Sequence, residues 1–365
     1  MKNEQVLLTP YKMDDLLLEN RVVMAPMTRS RADNPGKIPT DLIAGYYAQR
    51  ASAGLIISEG SQISKRAVGA INTPGIYSDE QVEGWKKVTE AVHAKGGKMF
   101  IQLWHVGRMS HPDFHNGELP LSASAFNPHS QSYTPQGFKD TVIPKEMTIE
   151  EIKETVKDYG NAAKNAMAAN FDGVEIHSSN GYLLHQFFSR TSNVRTDAYG
   201  GSIENRSRIL FEVLEEVKKH MPENRIGARL NPSLHGIFGM TLDEETIPTF
   251  DYIVNRLNDY ELAYLHFSEP FTDVTDVPYA EPHIAKHYRP MYNGTLMINT
   301  GFEREKGNQV IDEKLVDLVA YGKPYISNPD LVERFEAKAE TADWDKSTFY
   351  TTGAKGYTDY PTLKA

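Results

Sequence analysis

Eight short runs rich in branched apolar residues recur along this chain, and most are separated by amphipathic stretches of helical length. The runs are 21–27 (RVVMAPM), 54–60 (GLIISEG), 98–104 (KMFIQLW), 172–178 (DGVEIHS), 225–231 (RIGARLN), 262–268 (LAYLHFS), 295–300 (TLMINT) and 315–321 (LVDLVAY). Helical periodicity occupies 41–52, 79–95, 150–170, 205–220 and 243–258, with a shorter polar pattern within 303–311. Thr148-Ile149-Glu150-Glu151 forms a capping box ahead of the third of these. Strands alternating with helical patterns predict parallel pairing with helical crossovers, and eight such strands predict an α/β fold closed into a single (β/α)8 TIM barrel. One domain over 1–365 suits that architecture, with the 108–147 segment as an insertion after strand three. Rich in Pro, His, Ser and Gly, it is too long for a turn and is expected to form a lid or capping hairpin over the catalytic face. The tyrosines of the tail after Ala339 predict that it folds back onto the body.

Composition removes several function classes. With no cysteine there is no disulfide framework, thiolate metal site or cysteine nucleophile. The net charge of −10 and the absence of a dense Lys/Arg run argue against nucleic acid as a partner. No apolar run approaches the roughly 18 residues that span a bilayer, and the polar, acidic start does not resemble a signal peptide. The expectation is a cytoplasmic protein, monomer or homodimer, acting on a small molecule.

Chemistry in such a barrel collects at the carboxyl ends of the strands and on the loops that follow. Gln102 and Arg229 are polar side chains inside otherwise apolar strands, and a buried unpaired charge costs about several kcal/mol. A planar ligand with carbonyl and ring-nitrogen acceptors along one edge meets that need, as the pyrimidine edge of a flavin does. The alternative is structural, with Arg229 bridging to Glu175 or Glu59. Gly301 after strand seven and Gly322-Lys323 after strand eight occupy the usual phosphate position of this fold. Glycine lets backbone N–H groups approach a phosphate, and lysine adds charge. No G-x-G triplet occurs, which excludes a Rossmann fingerprint or a Walker loop. A nicotinamide would therefore be a visiting substrate.

The stretches 174–182 (VEIHSSNGY), 183–187 (LLHQF) and 192–206 (SNVRTDAYGGSIENR) closely resemble the signature of the Old Yellow Enzyme family. Supporting matches at 25–29 (APMTR), 58–64 (SEGSQIS), 101–108 (IQLWHVGR), 326–334 (ISNPDLVER) and 356–361 (GYTDYP) spread the resemblance over essentially the whole chain. The resemblance implies a tightly bound FMN. It also implies hydride transfer from NADPH or NADH, through the flavin, to the β-carbon of an α,β-unsaturated carbonyl, maleimide or nitro compound. Pro26 and Thr28 would flank the flavin ring, with Gly60 offering backbone contact. Gln102 and Arg229 would meet its pyrimidine edge, and Gly301, Gly322 and Lys323 its phosphate. His177 and Asn180 would hold the substrate oxygen, Tyr182 would protonate the α-carbon, and Trp104 and Tyr357 would wall the pocket. No metal is implied.

Two positions depart from the commoner pattern of the family. Lys323 stands where arginine is usual, which keeps the charge and loses the bidentate fork. Asn180 stands where many bacterial members have a second histidine, so at most one member of the oxygen-binding pair titrates. Rival readings on the same fold are a hydrolase using Glu59 and Glu175, a metal-dependent hydrolase using His105 and His177, and a non-catalytic binding barrel.

Overall fold

The computed structural model describes residues 5–363. Its centre is a closed barrel of eight parallel strands: β1 (Val22–Met24), β2 (Leu55–Gln62), β3 (Met99–Trp104), β4 (Gly173–His177), β5 (Ile226–Leu230), β6 (Tyr264–Ser268), β7 (Leu296–Asn299) and β8 (Leu318–Tyr321). Each pairs with the next, and β8 returns to β1. All eight coincide with the apolar runs of the sequence. Strands buried on both faces carry continuous hydrophobic stretches, and that is the signal the sequence presents.

An outer helix follows every strand: α1 (Asp41–Ala48), α2 (Asp79–His93), α3 (Ile149–Ala168), α4 (Ile203–Val217), α5 (Thr246–Leu257), α6 (Ile284–Tyr288), α7 (Arg304–Asp312) and α8 (Leu331–Ala337). The Thr148/Glu151 capping box forms at α3, and a second, Ser78/Gln81, starts α2. Each such cap is worth about 1 kcal/mol. On α3 the buried side chains Ile152, Val156, Tyr159, Ala163 and Ala166 recur at three- and four-residue spacing and face the strands.

The amino-terminal end of the barrel is plugged by a hairpin, Tyr11–Met13 with Leu16–Leu18, turned at Asp14 with φ 51°. Its Met13, Leu16 and Leu18 join Val23, Leu55, Phe100, Tyr264, Met297 and Leu318 in one buried cluster. The chemistry is thereby confined to the opposite, carboxyl-terminal end. There the 108–147 segment includes an antiparallel hairpin, Gln131–Thr134 with Gly137–Asp140. It docks on the loop after β2 through Ile71 N to Tyr133 O (3.2 Å) and Ser132 Oγ to Gly69 O (3.2 Å).

Candidate active site

Parallel register brings the polar side chains of neighbouring strands to one level. Gln102 stands beside Glu175 and Gly60, and His177 beside Arg229, which in turn stands beside His266. Gln102 Nε2 donates to Glu175 Oε1 at 2.7 Å, and His266 Nδ1 to Glu175 Oε2 at 2.8 Å. Burial pushes the Glu175 carboxyl up, but His266, Arg229 and Gln102 outweigh it and hold it below its ordinary value. His266, itself depressed mainly by burial, is the neutral donor of the pair.

Arg229 forms no ion pair with Glu175 or Glu59 among the described residues. Its Nη2 donates to Ser268 Oγ at 3.2 Å, and the Asn299 amide satisfies both Arg229 and Ser268 when its oxygen faces Nη2 at 2.5 Å. Arg229 Nε is buried with nothing to donate to. An orphaned buried guanidinium N–H calls for an acceptor, which a flavin's pyrimidine edge carries, so Arg229 fits FMN. Between Ile57 and Gly60 the β2–β3 register shifts, and a Cβ at Gly60 would lie 2.8 Å from the Trp104 ring. Pro26 and Thr28 follow β1, half-buried, at the same end.

Gly301 (φ 73°), Gly322 and Lys323 share a cavity of ≈ 1010 Å³ beyond the ends of β7 and β8. Gly322 caps a short helix, Lys323–Ser327, that the sequence reading did not isolate. Lys323 is exposed, its Nζ 5.8 Å from the centre of the Trp344 ring on the same cavity.

A second cavity, ≈ 210 Å³, is lined by Thr28, Trp104, Tyr182, Phe238 and Tyr350, and by the hairpin's stacked Tyr133 and Phe138. Tyr182 meets the Trp104 and His177 rings edge-on at 5.0 and 4.9 Å. Burial, and then Tyr350, raises its phenol pKa above the ordinary value. Burial followed by the Arg229 charge drives the His177 imidazole well below its ordinary value, so it stays neutral. Its Nδ1 accepts from Ser179 N (3.4 Å) and faces Ser179 Oγ (3.3 Å), which leaves Nε2 as the N–H. Asn180, in the left-handed region at φ 56°, accepts from Asn231 Nδ2 through its own Oδ1 at 2.9 Å.

Tyr357 requires a correction. The sequence reading put it on the substrate pocket, but it is fully buried, stacked on Tyr46 at 3.9 Å under the Arg29 and Arg31 guanidiniums. Tyr350, seven residues earlier, lines the cavity instead. Tyr350, Phe238 and Asn231 carry no motif that marks them. His266 does carry a signal, being a polar residue in an apolar strand like Gln102 and Arg229. The carboxylates of the rival hydrolase are unsuited to it. Glu59 is buried beneath the Arg29 backbone N–H (3.2 Å), and Glu175 is consumed inside the barrel. Among the described residues no group of three or more His, Cys, Asp or Glu side chains could hold a metal.

Comparison with known proteins agrees. A sequence model of the NADH:flavin oxidoreductase / NADH oxidase family matches residues 6–342. The chain is 42% identical over 363 residues to 12-oxophytodienoate reductase 1 of Oryza sativa subsp. japonica, covering 98% of this chain and 93% of that one. It is 40% identical over 369 residues to 12-oxophytodienoate reductase 2 of Arabidopsis thaliana, covering 100% and 97%. Among solved structures, morphinone reductase superposes with TM-score 0.93 at 41% identity, covering 100% of this chain and 98% of that one. An old yellow enzyme homologue from Zymomonas mobilis gives TM-score 0.93 at 39% identity, covering 98% and 99%. The chain therefore belongs to the NADH:flavin oxidoreductase / NADH oxidase family, the FMN-dependent oxidoreductases of Old Yellow Enzyme type.

Proposed function

We propose that this enzyme reduces the C=C bond of α,β-unsaturated carbonyl compounds, with NADPH or NADH as the hydride source. The observation that carries the reading is the convergence of a neutral His177 and the Tyr182 phenol around the Trp104 ring, with Asn180 two residues before Tyr182 on the same loop. FMN, when bound, would supply the hydride-carrying chemistry that links a nicotinamide to the β-carbon of the alkene. Gln102 and Arg229 would hold its pyrimidine edge, Pro26, Thr28 and Gly60 its ring, and Gly301, Gly322 and Lys323 its phosphate. Arg229 would offer it a buried Nε–H that has no other partner.

His177 and Asn180 donate to the substrate oxygen and draw electron density from the β-carbon. Tyr182 gives its proton to the α-carbon, and its raised pKa keeps that proton in place at neutral pH. The 131–140 hairpin, with Tyr133 and Phe138 on the cavity, covers the bound substrate. The names of the relatives, 12-oxophytodienoate reductase and morphinone reductase, are those of reductases of oxo compounds, which supports an enone over a maleimide or nitro substrate. A structure of morphinone reductase in complex with tetrahydroNAD supports a nicotinamide as the hydride donor.

The test is optical. Purified protein should be yellow, bleach when titrated anaerobically with NADPH or NADH, and recover colour on addition of cyclohexenone. A colourless protein that takes up no FMN, or a bleached one that no enone reoxidises, would overturn the reading.

A further inference from the structure

The two members of the oxygen-binding pair are each held from behind. His177 receives the Ser179 N–H on Nδ1 and so keeps its proton on Nε2. Asn180 has no tautomer to fix, but its amide has two ends, and a half-turn about the terminal bond exchanges a donor for an acceptor. Asn231 engages one of them, its own Oδ1 being buried without a partner. It is fully buried just past the end of β5 and donates Nδ2–H to Asn180 Oδ1 at 2.9 Å. β5 is itself anchored to the segment after β4, where Ser178 N and Oγ both donate to Arg229 O at 3.2 and 2.7 Å. With its oxygen engaged, half-exposed Asn180 has only its NH₂ to offer a ligand.

We propose that Asn231 is the positioning residue that fixes the Asn180 carboxamide as a donor. The His177/Asn180 pair then selects ligands by an acceptor oxygen. This rests on the reading of that pair as the substrate-oxygen clamp. It has a consequence that simple packing lacks, because an enone oxygen can only accept, whereas the nicotinamide carboxamide carries both an oxygen and an NH₂. If Asn180 presented its oxygen instead, the nicotinamide would turn its carboxamide to match, and the enone would meet a repelling lone pair.

Asn231→Asp performs that inversion. A carboxylate cannot donate to Asn180 Oδ1, and it draws the Asn180 NH₂ toward itself. In the holoenzyme, kcat/KM for cyclohexenone should fall about a hundredfold, the scale of losing one oriented donor to a developing oxyanion. Anaerobic bleaching by NADPH should change less than about threefold. Asn231→Ala merely frees the amide to rotate, so it should fall between wild type and Asn231→Asp, about tenfold down on cyclohexenone. Equal losses with both substrates, no loss with cyclohexenone, or an alanine variant as impaired as the aspartate would each overturn the assignment. Should Asn231→Asp not retain flavin, the alanine variant still decides, because it must impair cyclohexenone while sparing NADPH. Asn180→Ala separates the two layers. If it leaves cyclohexenone turnover unchanged, the oxygen-clamp reading itself falls. If it is impaired while both Asn231 variants behave as wild type, only the role of Asn231 is lost.

Discussion

The floor and the wall of the active site are built on different physics. On the floor, Gln102, Glu175, His177, Arg229 and His266 project from adjacent parallel strands, and register alone sets them side by side. Gln102 and His266 both donate to Glu175, and Arg229 Nε is left buried without a partner. The wall is made of aromatics on loops, and main-chain carbonyls clamped by guanidiniums hold it. Arg108 donates to Gly239 O at 3.1 Å and Phe238 O at 3.4 Å, which seats Phe238 against Tyr182 at 5.7 Å. Arg31 donates to Thr348 O (2.9 Å), Phe349 O (2.8 Å), Gly353 O (3.3 Å) and Lys355 O (3.1 Å), on both sides of Tyr350. Neither arginine has a carboxylate partner within 4 Å among the described residues, and burial lowers Arg108 to about 10. Carbonyl dipoles satisfy the Arg31 guanidinium where they would not match a strongly hydrated ammonium, whereas Arg108 keeps a buried Nε without a partner. The floor is therefore rigid with the barrel, whereas the wall is only as firm as two clamps. On the proposed function, chemistry and cofactor would belong to the first and substrate choice to the second.

Tyr182 joins the two, so its removal gives the largest separation of chemistry from scaffold. Tyr182→Phe keeps the ring contacts with Trp104 and Phe238 and removes the proton. Cyclohexenone turnover should fall about 10²- to 10⁴-fold, the range of general-acid catalysis, while bleaching by NADPH survives. Stopped-flow measurement of the two half-reactions checks this. Parallel loss in both would make Tyr182 part of the scaffold.

The tail carries the next test, because two tyrosines seven residues apart lie on opposite sides of the comparison. Tyr357→Ala empties a fully buried site and should cost about 3–5 kcal/mol of stability with flavin spectra unchanged. Tyr350→Ala should leave the melting temperature in place and raise the KM for cyclohexenone about tenfold, since it removes only one face of the cavity. Reversed outcomes would return Tyr357 to the pocket. Arg31→Met tests the clamp itself. The segment 348–357 should become open to limited proteolysis, and the KM should rise by about the same tenfold. Flavin should be retained.

This division also explains what the sequence could disclose. Strand-borne polar residues break a short apolar pattern, so Gln102 and Arg229 stand out, and His266 carries the same mark. Eight buried strands announce themselves for the same reason. The amino-terminal hairpin does not, because three-residue strands such as Tyr11–Met13 are too short to show a period. Nor do the clamps, since Arg31 and its partners are more than 310 residues apart and their bond ends on main-chain carbonyls that any residue supplies. Asn231 is visible as a polar residue at a strand end, yet its partner Asn180 lies 51 residues away on another loop. Tyr357 sits within a recognisable motif and Tyr350 outside it, and the motif turned out to be packing.

The smallest expected effect concerns the border between floor and wall. Glu59, beside Gly60, is fully buried, and its pKa is raised from 4.5 to about 7, burial outweighing the Arg29 N–H and the Arg29 and Arg31 charges. A raised folded-state pKa means the native protein binds the extra proton between those values, so this group's stabilisation is full below 4.5 and is lost as pH rises through about 7. The buried histidines act with the opposite sign. Burial holds His105 and His185 at about 3, so the unfolded chain takes up their protons first and stability is lost as pH falls below 6.5. Absolute profiles mix the two, but the difference between wild type and Glu59→Gln isolates the carboxyl. Between pH 4.5 and 7 the glutamine variant should gain on wild type by about 1.4 kcal/mol per pH unit, read from denaturant unfolding at each pH. A flat difference would mean that Glu59 stays ionised throughout and serves as counter-ion to Arg29 and Arg31. The clamp on the tail would then be a charge pair after all, and floor and wall would share one electrostatic origin.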